Sequence, residues 1–260
     1  MPDSRNFVLA GMSRSGTTLM AKLITNELPD AFCGIEPPTV SVVGDLPAYF
    51  DDTRRRLLNG LPVGNKYGRD GAVADNPWRH GAAWEERPFA HPVTARVVVG
   101  AKGILMFLHD AEEVLGMGCK MIIILRDPIY TLGAWNDPVA AGMDVNRLTR
   151  WRIDPVWAQR GFQFKTYTKI ERQAEIWEYY ANKACELKKD ERVHFVRYED
   201  LCDNTMDTLG RIADFLGVLR PTVPIKLQNM NRVRRYPRKK QIVGVVSRIC
   251  TSRGALGFSE

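Results

Sequence analysis

Arg14, Ser15, Gly16, Thr17 and Thr18 follow the apolar run Phe7-Val8-Leu9-Ala10, with Gly11 between run and cluster. Gly11 and Gly16 stand at the spacing of the phosphate-cradling G-x-x-x-x-G-K-[ST] loop, where backbone N–H groups and the positive end of a helix dipole meet an anion. That pattern needs Lys where this chain has Thr17, and the cation lies three residues earlier at Arg14. A triphosphate would be incompletely neutralised by such a loop. Arg14, two hydroxyls and backbone amides suit a smaller, differently distributed anionic group such as a phosphosulfate. Three further charged groups sit where apolar segments end: Glu36 before Pro37-Pro38, Lys102 after Val97-Val98-Val99-Gly100-Ala101, and Arg126 after Ile122-Ile123-Ile124-Leu125. A carboxylate can take a hydroxyl proton, an ammonium can stabilise charge on a departing oxygen, and a guanidinium can hold a phosphate.

The elements that must position these groups alternate between strand and helix. Residues 7–11 read as a strand, and 15–28 as a helix with Leu19, Leu23 and Leu28 on its packed side, ending near Pro29. Pro37 and Pro38 keep the chain extended and out of the next helix, so Glu36 falls on a short, stiff segment. Residues 95–103 have strand composition, and Met121 to Leu125 form a continuous apolar run, the mark of a strand covered on both faces. Arg126-Asp127-Pro128 then places a cation at the strand end and Pro at a helix start, with Asp127 available to cap. Ile170, Ala174, Trp177, Ala181 and Ala184 recur at helical spacing, which makes Trp177 a core residue. Residues 193–197 read as a strand leading into a helix that stops at Gly217. This order predicts an α/β fold, a P-loop-type three-layer sandwich with a central parallel sheet flanked by helices. Ligands of such sheets sit at the carboxyl ends of the strands.

Two stretches resist this reading. Residues 40–93 show a solvated helix face at Asp51-Asp52-Thr53-Arg54-Arg55-Arg56, then a run dense in Gly, Pro and Trp whose Trp78, Trp84 and Phe89 suit acceptor binding or loop anchoring. Residues 135–168 interleave Trp135, Trp151 and Trp157 with Arg147, Arg150, Arg152 and Arg160, either a stacking surface or a helical subdomain with a basic face. The tail, residues 228–260, carries the basic run Arg232 to Lys240. With 260 residues, 45% of them hydrophobic, one domain spanning 1–260 is expected, and a net charge of +7 suits a polyanionic ligand. Cys33, Cys119, Cys185, Cys202 and Cys250 lack metal-ligand spacing and read as reduced fillers. No run approaches the roughly 20 apolar residues of a membrane span, so a soluble, cytoplasmic chain is expected.

These motifs resemble a known family. Arg14-Ser15-Gly16-Thr17-Thr18 resembles the 5′-phosphosulfate loop of sulfotransferases, enzymes that use 3′-phosphoadenosine 5′-phosphosulfate (PAPS). Cys33-Gly34-Ile35-Glu36 is similar to the tyrosylprotein sulfotransferases, whose Glu at this place is the general base, and the motifs are closest to the tyrosylprotein and carbohydrate branch. Several branches have a Lys in the position of Lys102, and the cytosolic branch follows it with a His base; here His109 stands further on. Arg126-Asp127-Pro128 resembles the 3′-phosphate motif, although the later Ser of that motif is Ala134 here, leaving Thr131 or a downstream basic residue as substitute. Arg197-Tyr198-Glu199-Asp200-Leu201 and the helix ending Asp214-Phe215-Leu216-Gly217 resemble the family's C-terminal half, in which the Tyr lies near the nucleotide. Tyr198 is thus a candidate to stack on adenine, or else a buried Tyr bonding across the sheet.

The resemblance implies a donor site of Arg14, Ser15, Gly16, Thr17, Thr18, Arg126 and Tyr198, and a catalytic set of Glu36, Lys102 and Arg14. It implies PAPS as co-substrate, no metal, and transfer to a hydroxyl of a carbohydrate, glycolipid or other small acceptor. Two rivals stand beside it. A small-molecule kinase would need Mg²⁺ and a carboxylate to hold it, and Thr17 speaks against it. A non-enzymatic nucleic-acid-binding protein would lean on the basic tail, and Glu36 with Lys102 at strand ends speak against it, so no nucleic acid is expected as partner.

Overall fold

A computed structural model describes residues 5–75, 82–103, 105–137, 168–233, 236 and 238–258. The chain divides into two compact units, Met1–Leu125 with Leu187–Gln228, and Arg126–Glu186 with Asn229–Glu260.

The first unit is built on strands that bury both faces. β1 (Asn6–Gly11), β2 (Ala31–Ile35), β5 (Val98–Lys102), β6 (Lys120–Leu125) and β7 (Val193–Arg197) form one sheet in the order β2-β5-β1-β6-β7. Every neighbouring pair in it is parallel. Side chains alternate between faces along each strand. Phe7 and Leu9 of β1, Ile122 and Ile124 of β6 and Cys33 and Ile35 of β2 join one apolar cluster with α1 (Thr17–Glu27), α7 (Tyr198–Asp203) and α8 (Thr205–Leu216). Val8, Ala10, Ala101, Met121 and Ile123 face the other way and are equally buried, and α2 (Leu46–Leu58) packs against β5. Each such fully buried Ile or Leu stabilises the unit by about 1.5–3 kcal/mol. Gly100 is required where it stands, because a Cβ there would run into the ring of Phe7.

The stretch that had no readable period contains ordered elements. A 3₁₀ turn at Val43–Asp45 leads into α2, and β3 (Val63–Tyr67) and β4 (Ala83–Arg87) pair as an antiparallel hairpin. Phe89 meets Phe32 edge to face at 5.7 Å, which makes it a loop anchor. The short helices α3 (Met106–His109) and α4 (Ala111–Gly116) lead to β6.

In the second unit, α5 (Pro128–Trp135) starts with Asp127 accepting a hydrogen bond from the Ile129 N–H at 2.8 Å, a side-chain cap followed by Pro at the first helical position. α6 (Lys169–Leu187) buries Ile170, Gln173, Ala174, Trp177, Ala181 and Ala184 along one stripe, as its spacing predicts. The tail forms α9 (Met230–Val233), α10 (Lys239–Ile249), which packs on α5, and a 3₁₀ turn at Thr251–Leu256. Trp78, the segment 138–167 with its interleaved Trp and Arg, and Arg234 and Arg235 lie outside the described residues. All five cysteines are free thiols. Among the described residues no helix is long and apolar enough to cross a membrane.

Candidate active site

The loop after β1 turns sharply before α1 begins. Ser15 donates both its N–H, at 3.2 Å, and its hydroxyl, at 2.5 Å, to the Met12 carbonyl. Arg14 has φ 69° and Gly16 φ 92°, both in the left-handed region, so the helix starts at Thr17 and not at Ser15. For Arg14 that conformation is strained, and such strain persists where the surrounding structure imposes it. Gly16 offers no side chain to the first N–H groups of α1, and the first turn carries no acidic residue, so the positive end of the helix is left for an anion. Thr17 is buried, while Arg14 and Thr18 are half-buried.

Glu36 and Lys102 meet at the carboxyl ends of neighbouring strands. The register pairs Lys102 with Ile35 of β2 on one side and with Leu9 of β1 on the other. Glu36 takes φ 51°, its N–H donates to the Lys102 carbonyl at 2.9 Å, and its carboxylate accepts from the Lys102 ammonium. Lys102 is 1% exposed. Neither a solubilising strand cap nor a solvated loop carboxylate describes this pair. The left-handed turn at Glu36 also replaces the extended path expected before Pro37.

A second cation, not anticipated from sequence, completes the cluster. Lys66 of β3 donates to the other oxygen of Glu36. It is brought there by Asn65, which is fully buried. The Asn65 carbonyl oxygen accepts from the N–H groups of Ile35, at 3.0 Å, and Lys66, at 2.9 Å, and its amide donates to the Cys33 carbonyl at 3.2 Å. Asn65 thus acts as a strand surrogate along the open edge of β2. Thr25 of α1 serves the same edge, accepting from the Cys33 N–H at 3.1 Å and donating to its carbonyl at 3.2 Å.

The electrostatics follow from burial and charge. Burial pushes the Glu36 carboxyl up, but the charge of Lys102 and hydrogen bonds from Lys102 and Lys66 outweigh it and hold the group down to about 2. Burial lowers the Lys102 ammonium, and the Glu36 charge only partly opposes this. Cys33 and Tyr49 nearby are pushed far up by burial and stay neutral. With two ammonium groups and one carboxylate, the cluster carries net positive charge.

Tyr198, the first residue after β7, is 5% exposed. A Cβ on Gly16 would lie 2.6 Å from its ring, so Tyr198 supports the loop at its left-handed residue. That burial leaves little ring face for the adenine stacking expected of it.

In the second unit, Arg126 is 6% exposed and fixed on both sides of its backbone and head. Its carbonyl accepts from Thr131 Oγ1 and from Trp177 Nε1, each at 3.1 Å. Its guanidinium donates through Nε to Asn231 at 2.6 Å and through a terminal nitrogen to the Tyr236 hydroxyl at 2.8 Å. The rings of Tyr130 and Tyr236 each lie 6.0 Å from the guanidinium carbon, and Lys239 Nζ lies 5.7 Å from the Tyr130 ring. Asp127 caps α5 and pairs with Arg253 at 2.8 Å. Thr131, proposed to substitute for the hydroxyl missing at Ala134, instead commits its hydroxyl to the Arg126 carbonyl. Among the described residues of the tail, Asn231 and Tyr236 reach Arg126; Arg234 and Arg235 lie outside the described residues.

The remaining candidates lie apart from these contacts. His109 closes α3 and is half-buried. His194 stacks on Phe215 at 5.3 Å, so it is a packed strand residue and not a solvent-facing one. Among the described residues no group of three His, Cys, Asp or Glu could hold a metal ion.

The model of the sulfotransferase-domain family matches residues 110–236. Over that stretch, just under half of the chain, the protein is similar to sulfotransferases. The matched residues include Arg126, Tyr198, Asn231 and Tyr236 and stop short of the loop, Glu36, Lys66 and Lys102. Solved structures similar to this chain include a sulfotransferase domain from the curacin biosynthetic pathway, at 13% identity and TM-score 0.46, covering 94% of this chain and 96% of that one. A sulfotransferase from Alicyclobacillus acidocaldarius is similar at 15% identity and TM-score 0.43, with 98% and 96% covered. A mouse sulfotransferase complexed with PAP is similar at 16% identity and TM-score 0.42, with 88% and 61% covered. No curated protein sequence matches the chain.

Proposed function

We propose that this protein is a sulfotransferase that moves a sulfuryl group from PAPS to a hydroxyl of a carbohydrate, glycolipid or other small acceptor, with Glu36 as general base. The observation that carries the reading is the Glu36–Lys102 pair at the ends of β2 and β5, with β5 hydrogen-bonded to the strand that runs into the loop. The loop fits the donor's sulfated phosphate: an uncapped helix start, a left-handed glycine and Arg14 offer N–H groups and positive charge. Ser15, Thr17 and Thr18 add hydroxyls to that loop. Arg126, held by neutral acceptors, is the residue assigned to the 3′-phosphate.

The donor supplies an activated sulfuryl group on an anhydride, so the scheme draws its positive charge from side chains and calls for no metal. Glu36 takes the proton of the acceptor hydroxyl. Lys102 and Arg14 neutralise charge on the departing phosphate, the electrostatic help on which transfer of charged groups depends. A carboxylate held at about 2 is a feeble base, and a Lys102 drawn toward the departing oxygen releases part of that hold and raises its basicity. Tyr198 supports the loop at Gly16.

Calorimetric titration with 3′-phosphoadenosine 5′-phosphate, on wild type and on Arg126→Ala with ATP as control, tests the donor site. Binding that falls at least about tenfold in Arg126→Ala, as removal of a charge-assisted contact implies, and that ATP does not match, supports the reading. Preference for ATP with Mg²⁺ in wild type overturns it. Glu36→Gln then serves as the control for the chemistry, binding the nucleotide but losing turnover.

A further inference from the structure

Lys66 lies in no segment that matched a motif, yet it is the outer partner of the carboxylate assigned as base. We propose that Lys66 is a positioning residue that clamps Glu36 against the edge of the sheet, and that it parts from Glu36 when the carboxylate turns to an acceptor. The proposal rests on the reading of Glu36 as general base.

Three observations support it. Glu36 is held at both oxygens, by Lys102 from the inside and by Lys66 from the outside, and the Lys66 side chain is 23% exposed against 1% for Lys102. The outer lysine can therefore leave the carboxylate without opening the core. Second, Lys66 is not carried on a loose loop. The Asn65 side chain takes the Lys66 N–H and the Ile35 N–H on the same oxygen, which locks the backbone of Lys66 to the residue just before Glu36. Third, the conformation of Glu36, φ 51° ahead of Pro37, is one that side-chain contacts must hold in place.

The groups that act on Glu36 are few. Lys102 faces it from β5 and Lys66 from β3, while Cys33 on β2 and Tyr49 on α2 are kept neutral by burial. When Lys102 is drawn to the donor, Lys66 is the cation still holding the carboxylate. A hydroxyl proton can reach Glu36 only as that pairing loosens, because a protonated carboxyl no longer holds an ammonium by charge. An acceptor that presents its own hydrogen-bond acceptor to Lys66 would assist the exchange.

The test reads the carboxyl itself and needs no acceptor. In protein labelled with ¹³C at the glutamate side-chain carboxyl, the Glu36 resonance is assigned by its loss in Glu36→Gln and followed with falling pH. In wild type it should keep its carboxylate shift to about pH 3, whereas in Lys66→Met its midpoint should rise by about one unit or more, the effect of removing an opposite charge in contact. Lys66→Arg, which keeps the charge, should stay close to wild type. An unchanged midpoint in Lys66→Met overturns the proposal. So does an equal rise in Lys66→Arg, since that would report a disturbed hairpin and not a lost charge. Failure here leaves the base assignment standing, because that assignment falls only if Glu36→Gln retains turnover.

Discussion

Replacing Asn65 by Leu tests whether one buried amide joins the hairpin to the sheet. Leu has the same branched heavy-atom skeleton as Asn and a larger volume, so no cavity opens, and the lost hydrogen bonds set a lower bound on the cost, to which any overpacking adds. Three are removed, from Ile35 and Lys66 N–H and to the Cys33 carbonyl. At about 1 kcal/mol each, with a further 1–3 kcal/mol or so for the Ile35 N–H left buried without an acceptor, the gross loss is about 4–6 kcal/mol. Burying an apolar side chain in place of an amide returns roughly 1–2 kcal/mol, leaving a net destabilisation of about 2–5 kcal/mol. For a chain of this size that is a fall in Tm of roughly 4–20 °C. Denaturant unfolding of wild type, Asn65→Leu, Thr25→Val and the double variant would measure it. The Cys33 carbonyl accepts from both Thr25 and Asn65, so each single variant leaves it one partner and the double leaves it neither of these. The double should therefore cost about 1 kcal/mol more than the sum of the singles. A cost below about 1 kcal/mol for Asn65→Leu, or strict additivity, would refute the strand-surrogate role.

Two further outcomes follow from the same geometry. The folded pKa of Glu36 is about 2 against 4.5 for the free group. A depressed carboxyl stabilises the fold above its unfolded value and loses that contribution as pH falls through the folded one. Wild type should thus exceed Glu36→Gln in stability most clearly above about pH 4.5, with the gap closing toward about pH 2; urea unfolding across that range decides, and a pH-independent gap counts against the assigned ionisation. Gly16→Ala places a Cβ at φ 92° and 2.6 Å from the Tyr198 ring, a strain of about 1–3 kcal/mol. It should lower Tm and abolish calorimetric binding of 3′-phosphoadenosine 5′-phosphate, and a wild-type affinity in the variant would remove the loop from the donor site.

The parallel sheet was legible because its strands announce themselves in two ways. Met121 to Leu125 is apolar at every position, the mark of a strand covered on both faces, and β2, β5 and β6 end in or run straight into Glu36, Lys102 and Arg126. The Glu36–Lys102 pair was legible in part. Each charge could be placed at a strand end, but their mutual contact depends on β2 and β5 being neighbours, which strand order and not local sequence decides. The hairpin was hidden. β3 reads Val63-Gly64-Asn65-Lys66-Tyr67, and its inward position at Asn65 holds a polar residue whose partners are backbone groups of another strand. A period-2 search for apolar residues sees Gly and Asn there and reads a turn. Lys66 was missed for the same reason: its importance comes from a neighbour whose burial the pattern cannot show.

The contacts that Asn231 and Tyr236 make with Arg126 have a different explanation. A search for groups to complete a phosphate site looks for more positive charge, and the tail from Arg232 to Lys240 supplies it in sequence. A buried guanidinium has other needs. It carries five N–H donors and no acceptor, so each partner that fixes it must accept. A second cation in contact would leave those donors unsatisfied and add repulsion, while a carboxylate would cancel the charge that an anionic ligand requires. Asn231 Oδ1 and the Tyr236 hydroxyl accept without cancelling charge. The ring of Tyr236 is in turn fixed by Gly133 of α5, where a Cβ would lie 2.6 Å from it. The glycine at 133 and the tyrosine at 236 thus act together to hold the arginine head, and a tail valued in sequence for its cations also contributes a phenol and an amide.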